Sequence, residues 1–260
     1  MTTKWKHLSG STAGTSHEYN GLPCQDYAEC RLLSVETTPI LIVVCADGAG
    51  SASQAEIGAR LACKSFLDVA STALGNGLRV AEIARQQVLH WHEEARARLS
   101  GEAGLLNLEI GDYACTFLTA IVSHEAAVFS QIGDGAIVIG RDDGYQTIFW
   151  PQSGEYANTT FFLTGSDFAE RLEVRSLDHD VDELALITDG LQPLALHYAS
   201  RTVHSAFFAP MFESLRKADC PEELEGPLEE FLRSQAVNDR TEDDKTLVLA
   251  TRRSPSNDRP

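Results

Sequence analysis

Short apolar runs of strand length alternate with longer stretches of helical periodicity along this chain. Positions 41–45 form an apolar, β-branched run that is compatible with a buried strand. From 55 to 74, apolar residues recur at the spacing of an amphipathic helix, and the sequence Gly-Asn-Gly then ends the pattern. A second helical stretch is predicted over 78–99. The first hundred residues therefore predict a buried strand followed by two helices.

The middle of the chain changes to short β-branched and aromatic runs that are separated by turn residues. The turns have the sequences Ser-His-Glu, Gly-Asp-Gly and Asp-Asp-Gly, which favour tight connections. This spacing predicts consecutive antiparallel hairpins. The predicted strands are 115–122, 126–132, 136–139 and 145–150.

The last third of the chain combines two further strand-like runs with two helical stretches. The runs predict strands at 184–187 and 246–251, and the helical stretches cover 201–217 and 221–237. Helices that interleave with antiparallel strands are typical of an α+β fold, in which helices cover an antiparallel β-sandwich.

Length and composition fit one globular domain. Hydrophobic residues make up 43% and charged residues 23% of the 260 residues, which is ordinary for such a domain. No internal repeat or low-complexity linker divides the chain, so we expect a single domain over 1–251 and a disordered tail over 252–260. No apolar stretch is long enough to span a bilayer, and the N-terminal residues lack the apolar core of a signal peptide.

The net charge of the chain limits its possible binding partners, and the cysteine pattern indicates its cellular compartment. A formal net charge of -17 argues against binding to nucleic acid or to an anionic membrane surface, because both need a basic surface. The six cysteines include no CxxC pair. We therefore expect a reducing, cytoplasmic compartment without structural disulfides. The cysteines and histidines also lack the spacing of a zinc site.

Aspartates stand at the ends of the predicted strands. One Asp-Gly pair is typical of a turn, but strand ends of a sandwich meet at one edge, and carboxylates gathered there would suit Mg²⁺ or Mn²⁺. The stretch ADGAGSAS could instead be a phosphate-binding glycine loop. Ser53, however, replaces the last glycine of that motif, and no GK[ST] follows. The strand-end aspartates are Asp26, Asp47, Asp134, Asp189, Asp243 and Asp244.

Four of these motifs occur in an order that resembles the metal-dependent protein serine/threonine phosphatases of type 2C. The order is ADGAGS, IGDG, LITDG and then DDKT before the last strand, and the resemblance runs from about residue 10 to residue 249. It implies a β-sandwich with α-helices on both outer faces and a centre of two Mg²⁺ or Mn²⁺ ions at one edge. It also implies hydrolysis of phosphoserine and phosphothreonine.

The resemblance assigns roles to individual residues. It implies that Asp47 bridges the two metals and that Gly48 offers its backbone carbonyl to one of them. Asp189 and Asp243 match the other direct ligands. Asp26 matches an aspartate that binds a metal-bound water.

Three further aspartates have less settled roles. Asp134 matches the aspartate of the family's Gly-Asp turn, which is more often structural or supports the ligands. Asp244 stands where the family usually has Asn, so the choice of ligand between Asp243 and Asp244 is open. Asp112 either helps to hold a third, weaker metal, as an aspartate ahead of the equivalent strand does in the family, or completes a Gly-Asp turn.

The sequence departs from the family in the region that meets the substrate. The Arg that usually precedes the early aspartate is missing from SHEYNGLPCQD. The substrate phosphate would then be held by His17, by a distant Arg or by the metals alone. Ala49 stands where some members have a histidine, and positions 150–173 lack the usual sequence of the variable flap. The chain is therefore expected to be a divergent bacterial member.

The expected reaction is direct attack of a metal-bridging water on phosphorus, without a phosphoenzyme. The lack of CxxxxxR and GxSxG signatures agrees with this expectation. One alternative is a binding or regulatory module of the same fold, but carboxylates kept at every ligand position would repel one another without metal. Another is a small-molecule phosphohydrolase. The expected partners are a phosphorylated protein and a serine/threonine kinase encoded nearby.

Overall fold

A computed structural model describes residues 4–35, 38–141, 144–153 and 160–254 of the chain. The helices are α1 Thr15–Asn20, α2 Ala55–Gly75, α3 Arg85–Leu106, α4 Phe168–Arg171, α5 Gln192–Ala195, α6 Ser205–Lys217, α7 Glu225–Leu232 and α8 Gln235–Asn238. The strands are β1 Lys6–Thr12, β2 Tyr27–Val35, β3 Thr38–Ala46, β4 Phe117–Val122, β5 Ala127–Ile132, β6 Ala136–Arg141, β7 Gly144–Thr147, β8 Glu173–Leu177, β9 Glu183–Ile187, β10 Leu196–His197, β11 Thr202–Val203 and β12 Lys245–Thr251.

Ten of the strands form two five-stranded antiparallel sheets. The first sheet has the order β1-β12-β9-β6-β7, and the second has the order β2-β3-β4-β5-β8. The strands β10 and β11 form a separate small hairpin.

The sheets pack face to face because their central strands are apolar on both sides. In β3, Leu41 and Val43 point into the core between the sheets, whereas Ile42 and Val44 point outward into a second core. Alternate side chains of a strand face opposite sides of the sheet. A strand that is buried on both faces therefore reads as a continuous apolar run.

Helices cover both outer faces of this sandwich. The helices α2 and α3 pack on the second sheet around Phe66 and Trp91. The helices α6 and α7 pack on the first sheet around Phe208 and Leu228. The predicted α+β fold, an antiparallel sandwich between helical layers, is confirmed.

The prediction of consecutive hairpins is wrong at one point. The strands β5 and β6 do not pair with each other: β5 pairs with β4 and β8, and β6 pairs with β7 and β9. Both hydrogen-bonding edges of β5 are thus occupied, so the chain crosses to the other sheet. Gly133 has a φ of 101°, and a Cβ there would lie 2.6 Å from the Thr116 side chain. This crossing places Asp134 at the edge of the sandwich.

The boundaries of three predicted helices also differ. The 78–99 helix begins later, at Arg85, because Val80–Glu82 forms a separate 3₁₀ turn. The 201–217 helix begins at Ser205, because Arg201 has a φ of 51° and β11 follows it. The 221–237 stretch divides into a 3₁₀ turn, α7 and α8.

Among the strands that were not predicted, β1 and β8 belong to the two five-stranded sheets. The strand β1 has the sequence KHLSGST, in which Leu8 is the one large apolar residue, yet it pairs along its length with β12. The strand β8 lies at an edge of the second sheet and is mostly polar. Both therefore lack the apolar run by which central strands are recognised.

The ends of the predicted domain are described in part. Arg252 donates from its backbone N–H to the carbonyl of Asp182 (2.9 Å), and its guanidinium pairs with the Asp182 carboxylate. Residues 255–260 of the predicted tail, residues 154–159 of the predicted flap and the Asp142-Asp143 pair of the last predicted hairpin turn lie outside the described residues. Among the described helices, none is long and apolar enough to cross a membrane.

His92 lies in the core between α3 and the second sheet. Its ring is fully buried and makes edge contacts with Phe66 and Phe117, with centroid distances of 5.3 Å in both cases. Its Nδ1 lies 2.8 Å from the carbonyl oxygen of Val88, and its Nε2 lies 3.2 Å from the hydroxyl of Ser130. Burial lowers the pKa of His92 to about 4.

This buried imidazole predicts a pH dependence of stability. Between pH 6.5 and pH 4 the unfolded chain binds a proton at His92 that the folded chain does not, so the free energy of unfolding falls as the pH falls. We expect wild type to lose about 2 kcal/mol relative to His92→Gln between pH 7 and pH 5. Urea unfolding of both proteins at the two pH values measures this difference. A difference that does not change with pH would contradict the assignment of a neutral buried His92.

Candidate metal centre

Three carboxylates from different parts of the chain meet at one edge of the sandwich. Asp47 follows β3, Asp134 lies in the crossing between β5 and β6, and Asp189 follows β9. Each offers a carboxylate oxygen, and these oxygens all lie within 4.8 Å of one another. A group of hard oxygen donors at this spacing can ligate Mg²⁺ or Mn²⁺.

The backbone around Asp47 is fixed by the neighbouring strand. The Asp47 N–H donates to the hydroxyl of Thr116 (3.0 Å), and the Thr116 N–H donates to the Asp47 carbonyl (2.8 Å). A Cβ at position 48 would lie 2.7 Å from the backbone oxygens of Gln25 and Ala55. Only glycine fits there, which explains the Asp-Gly pair at the end of this strand.

The loop of Asp189 is held against the start of β12. Asp189 opens a 3₁₀ turn, and a Cβ on the next residue, Gly190, would lie 2.0 Å from the carbonyl oxygen of Asp244. The Thr188 N–H donates to the carbonyl of Thr246. The second Asp-Gly pair is therefore also required by close backbone packing.

Burial and mutual repulsion raise the pKa values of this group. The pKa of Asp47 is raised well above its usual range by burial and then by the charges of Asp26 and Asp189. Burial, followed by the charges of Asp134 and Asp243, raises the pKa of Asp189 to about 7. Burial also raises the pKa of Asp134. Carboxylates gathered in this way are stabilised by a bound cation.

Two buried carboxylate oxygens without hydrogen-bond partners also indicate a cation site. Oδ1 of Asp134 and Oδ1 of Asp26 are buried and have no hydrogen-bond partner among the residues that the structure describes. Buried polar atoms usually have a partner, so the donor set fits a divalent cation.

The two adjacent aspartates before β12 have different surroundings. Asp243 is exposed and lines the cleft above the three carboxylates. Asp244 is 2% exposed, and its carboxylate accepts hydrogen bonds from the backbone N–H groups of Gly14 (2.7 Å) and Gln25 (2.5 Å). The geometry thus favours Asp243 as the residue available to a metal and gives Asp244 a structural position.

Asp26 lies behind the group. It is buried, and its Oδ2 accepts a hydrogen bond from the hydroxyl of Thr188 (2.8 Å), the residue before Asp189. Burial and the charge of Asp244 raise the pKa of Asp26 to about 8. Asp26 does not line the cleft, so its position suits support of the ligands rather than direct contact with substrate.

Asp112 occupies a turn next to the glycine-rich loop. Its Oδ2 accepts from the backbone N–H of Glu109 (3.0 Å), and its Oδ1 accepts from the hydroxyl of Ser53 (2.9 Å). It does not line the cleft. These contacts favour the turn interpretation over that of a third-metal ligand.

The cleft over the carboxylates has a volume of about 810 Å³. His17 lines it, with its Nδ1 2.9 Å from Oδ1 of Asp244. Several other lining residues were not named individually from the sequence: some fall in the stretch 150–173 that was matched to the variable flap, and the rest follow no motif and are brought to the cleft by the fold. They include Trp150, Gln152, Thr160, Phe162, Gln192, Tyr198 and Arg201.

Comparison with known proteins agrees with the fold. The family model described as Protein phosphatase 2C matches residues 13–233. Serine/threonine-protein phosphatase 3 of Escherichia coli (strain K12) is 40% identical over 254 residues, which is 95% of this chain and 98% of that protein.

Solved structures show the same architecture at lower identity. A bacterial serine phosphatase has a TM-score of 0.66 and 15% identity, and the match covers 97% of this chain and 100% of that one. The phosphatase Stp1 of Staphylococcus aureus has a TM-score of 0.61 and 15% identity, with 96% of each chain covered. The catalytic domain of the phosphatase PstP has a TM-score of 0.58 and 14% identity, with 95% of this chain and 97% of that one covered.

The chain belongs to the protein phosphatase 2C family, since the family model spans most of it and the Escherichia coli relative matches almost end to end. The resemblance that the strand-end motifs suggested is confirmed. The protein is a serine/threonine phosphatase of this family.

Proposed function

We propose that this protein removes phosphate from phosphoserine and phosphothreonine in protein substrates with the help of divalent metal ions. The observation that carries the proposal is the group formed by Asp47, Asp134 and Asp189, whose ligand oxygens lie within 4.8 Å of one another. The 40% identical Escherichia coli relative is named a serine/threonine-protein phosphatase, which supports the same substrate class.

The residues proposed to hold the metals are Asp47, Asp189 and Asp243, the backbone carbonyl of Gly48, and Asp134. When bound, Mg²⁺ or Mn²⁺ supplies an activated water and neutralises charge on the phosphate. The protein itself supplies the negative charge that attracts the ions, and the backbone packing at Gly48 and Gly190 that fixes the carboxylates.

Two tightly bound ions are the stoichiometry that we propose. PstP, which shares the fold, was solved in complex with 2 manganese ions, and RsbX, with a TM-score of 0.55, was solved in complex with magnesium. A third, weaker ion at Asp112 is not part of this proposal, because both oxygens of that carboxylate accept hydrogen bonds from protein groups.

The partners follow from the proposed substrate. A phosphorylated protein is the expected substrate, and a serine/threonine kinase encoded nearby would supply it. The six unpaired cysteines support a reducing compartment such as the cytoplasm.

Phosphate release from phosphoserine and phosphothreonine peptides, with p-nitrophenyl phosphate in parallel, tests the proposal. We expect hydrolysis of both peptides that requires Mn²⁺ or Mg²⁺ and is abolished by EDTA. Hydrolysis of p-nitrophenyl phosphate alone would favour a small-molecule phosphohydrolase. No hydrolysis of any substrate at saturating Mn²⁺ would favour a binding or regulatory module.

Metal binding should also stabilise the folded protein. Ions that bind the folded carboxylates, but not the unfolded chain, raise the free energy of unfolding by about 2.7 kcal/mol at a hundred times their Kd. We expect the melting temperature to rise by roughly 5 to 10 °C in saturating Mn²⁺. Differential scanning fluorimetry measures the shift in melting temperature, with metal-free buffer that contains EDTA as the reference. An unchanged melting temperature would contradict a metal centre at these carboxylates.

A further inference from the structure

Among the described residues that line the cleft, Arg201 is the one arginine or lysine. The other basic group on the cleft wall, His17, already contacts the Asp244 carboxylate. The sequence between Ser153 and Thr160 lies outside the described residues, but it reads GEYANT and contains no Lys or Arg. The positive charge needed to bind a phosphate must therefore come from Arg201 or from the metal ions.

Arg201 stands at the tip of a small hairpin that follows Asp189 in the chain. The strands β10 and β11 pair Leu196 with Val203 and His197 with Thr202, so the tip consists of residues 198–201. Arg201 adopts a φ of 51° in this turn, and its N–H donates to the carbonyl of Tyr198 (3.3 Å). A positive φ is uncommon for a residue other than glycine.

Hydrogen bonds tie this hairpin tip to the metal-binding turn. The Tyr198 hydroxyl donates to Oε1 of Gln192, and Nε2 of Gln192 donates to the backbone carbonyl of Asp134. The Tyr198 ring also makes an edge contact with Trp150, with centroids 5.3 Å apart. The tip is thereby fixed beside the carboxylates rather than free to move away.

The guanidinium group of Arg201 has no acidic partner among the residues that the structure describes. None of the ion pairs within 4.0 Å among the described residues includes it, and its Cζ lies 5.9 Å from the centre of the Trp150 ring. A cation left without a carboxylate beside four aspartates of the same cleft is placed for an incoming anion. Arginine binds phosphate with two parallel hydrogen bonds, which Lys cannot reproduce.

We propose that Arg201 binds a non-bridging oxygen of the substrate phosphoryl group and so replaces the Arg that is missing from the N-terminal region. The assignment rests on the proposed phosphatase function. Arg201 is a binding residue, since it holds a non-bridging oxygen, whose bond to phosphorus neither forms nor breaks in the reaction. An interaction made equally with bound substrate and transition state affects KM and leaves kcat unchanged.

Steady-state kinetics of Arg201 variants on a phosphothreonine peptide test this assignment. We expect Arg201→Ala to raise KM at least about tenfold, equal to about 1.4 kcal/mol of binding, with kcat within about threefold of wild type. Arg201→Gly removes the side chain and accepts the positive φ, so it should give the same KM. Arg201→Lys should recover part of the loss. Arg98→Ala, an exposed arginine of α3 away from the cleft, is the matched control.

Binding of inorganic phosphate to the Mn²⁺-loaded variants is measured by calorimetry in parallel. We expect a weaker Kd for both Arg201→Ala and Arg201→Gly, with an unchanged thermal shift in Mn²⁺. If Arg201→Ala and Arg201→Gly both keep the KM and the phosphate Kd of the wild-type protein, the assignment is overturned. If the variants lose kcat and also lose the thermal stabilisation by Mn²⁺, the assignment is overturned in favour of a role in metal binding. An inactive wild type would refute the proposed function, yet the phosphate Kd would still decide the role of Arg201.

Discussion

Asp47→Asn is expected to lower kcat/KM for phosphopeptide hydrolysis at least about a hundredfold, equal to about 2.7 kcal/mol of transition-state stabilisation. The amide keeps the size of the side chain but removes a ligand charge from the group that Asp134 and Asp189 complete. Asp189→Asn should have a comparable effect for the same reason. Both losses are measured from initial rates at peptide concentrations well below KM, over a range of Mn²⁺ concentrations.

Asp47→Asn should be more stable than wild type in the absence of metal, although it is less active. The charge of Asp47 is buried and repelled by its neighbours when no metal is bound, so its removal should raise the melting temperature of the protein in EDTA. The stabilisation by Mn²⁺ should shrink. Asp219→Asn, an exposed aspartate away from the cleft, is the matched control and should alter neither quantity. Activity near wild type in both Asp47→Asn and Asp189→Asn would show that the metal site is misplaced.

The adjacent pair Asp243 and Asp244 should separate into one functional and one structural residue. Asp244→Ala removes the acceptor of two buried N–H groups, those of Gly14 and Gln25. Leaving both without a partner costs about 3 kcal/mol, which corresponds to a fall in melting temperature of roughly 10 °C. This loss should occur in EDTA as well as in Mn²⁺.

Asp243→Ala should behave differently, because its side chain is exposed and lines the cleft. We expect its melting temperature in EDTA to stay within about 2 °C of wild type. The Mn²⁺ concentration for half-maximal activity should rise at least about tenfold, since one ligand charge is lost. Fluorimetry and Mn²⁺ titrations of both variants give the comparison. A fall in melting temperature for Asp243→Ala with unaltered Mn²⁺ dependence would reverse the two assignments.

The central strands and the strand-end aspartates could be predicted from the sequence because both depend on local pattern. A strand buried on both faces, such as β3, is a continuous apolar run, and an aspartate directly after it stands out. The polar strands β1 and β8 carry no such signal. They are held by pairing with β12 and β5, which are distant in sequence.

The composition of the site depended on contacts that no local pattern encodes. Asp134 reads as part of a hairpin turn, and only the occupied edges of β5 show that its turn crosses between the sheets. Arg201 follows no motif, and the Tyr198 and Gln192 hydrogen bonds bring its hairpin to the cleft. Asp243 and Asp244 differ by one position, so the direction of each side chain becomes evident only in the folded chain.

The central claim is that Asp47, Asp134 and Asp189 form a divalent metal centre. The most direct measurement is an anomalous difference map from crystals soaked in Mn²⁺ at a concentration that supports activity. We expect strong Mn²⁺ peaks within coordination distance of these three carboxylates. Crystals of active protein with Mn²⁺ bound elsewhere, and none at these carboxylates, would contradict it.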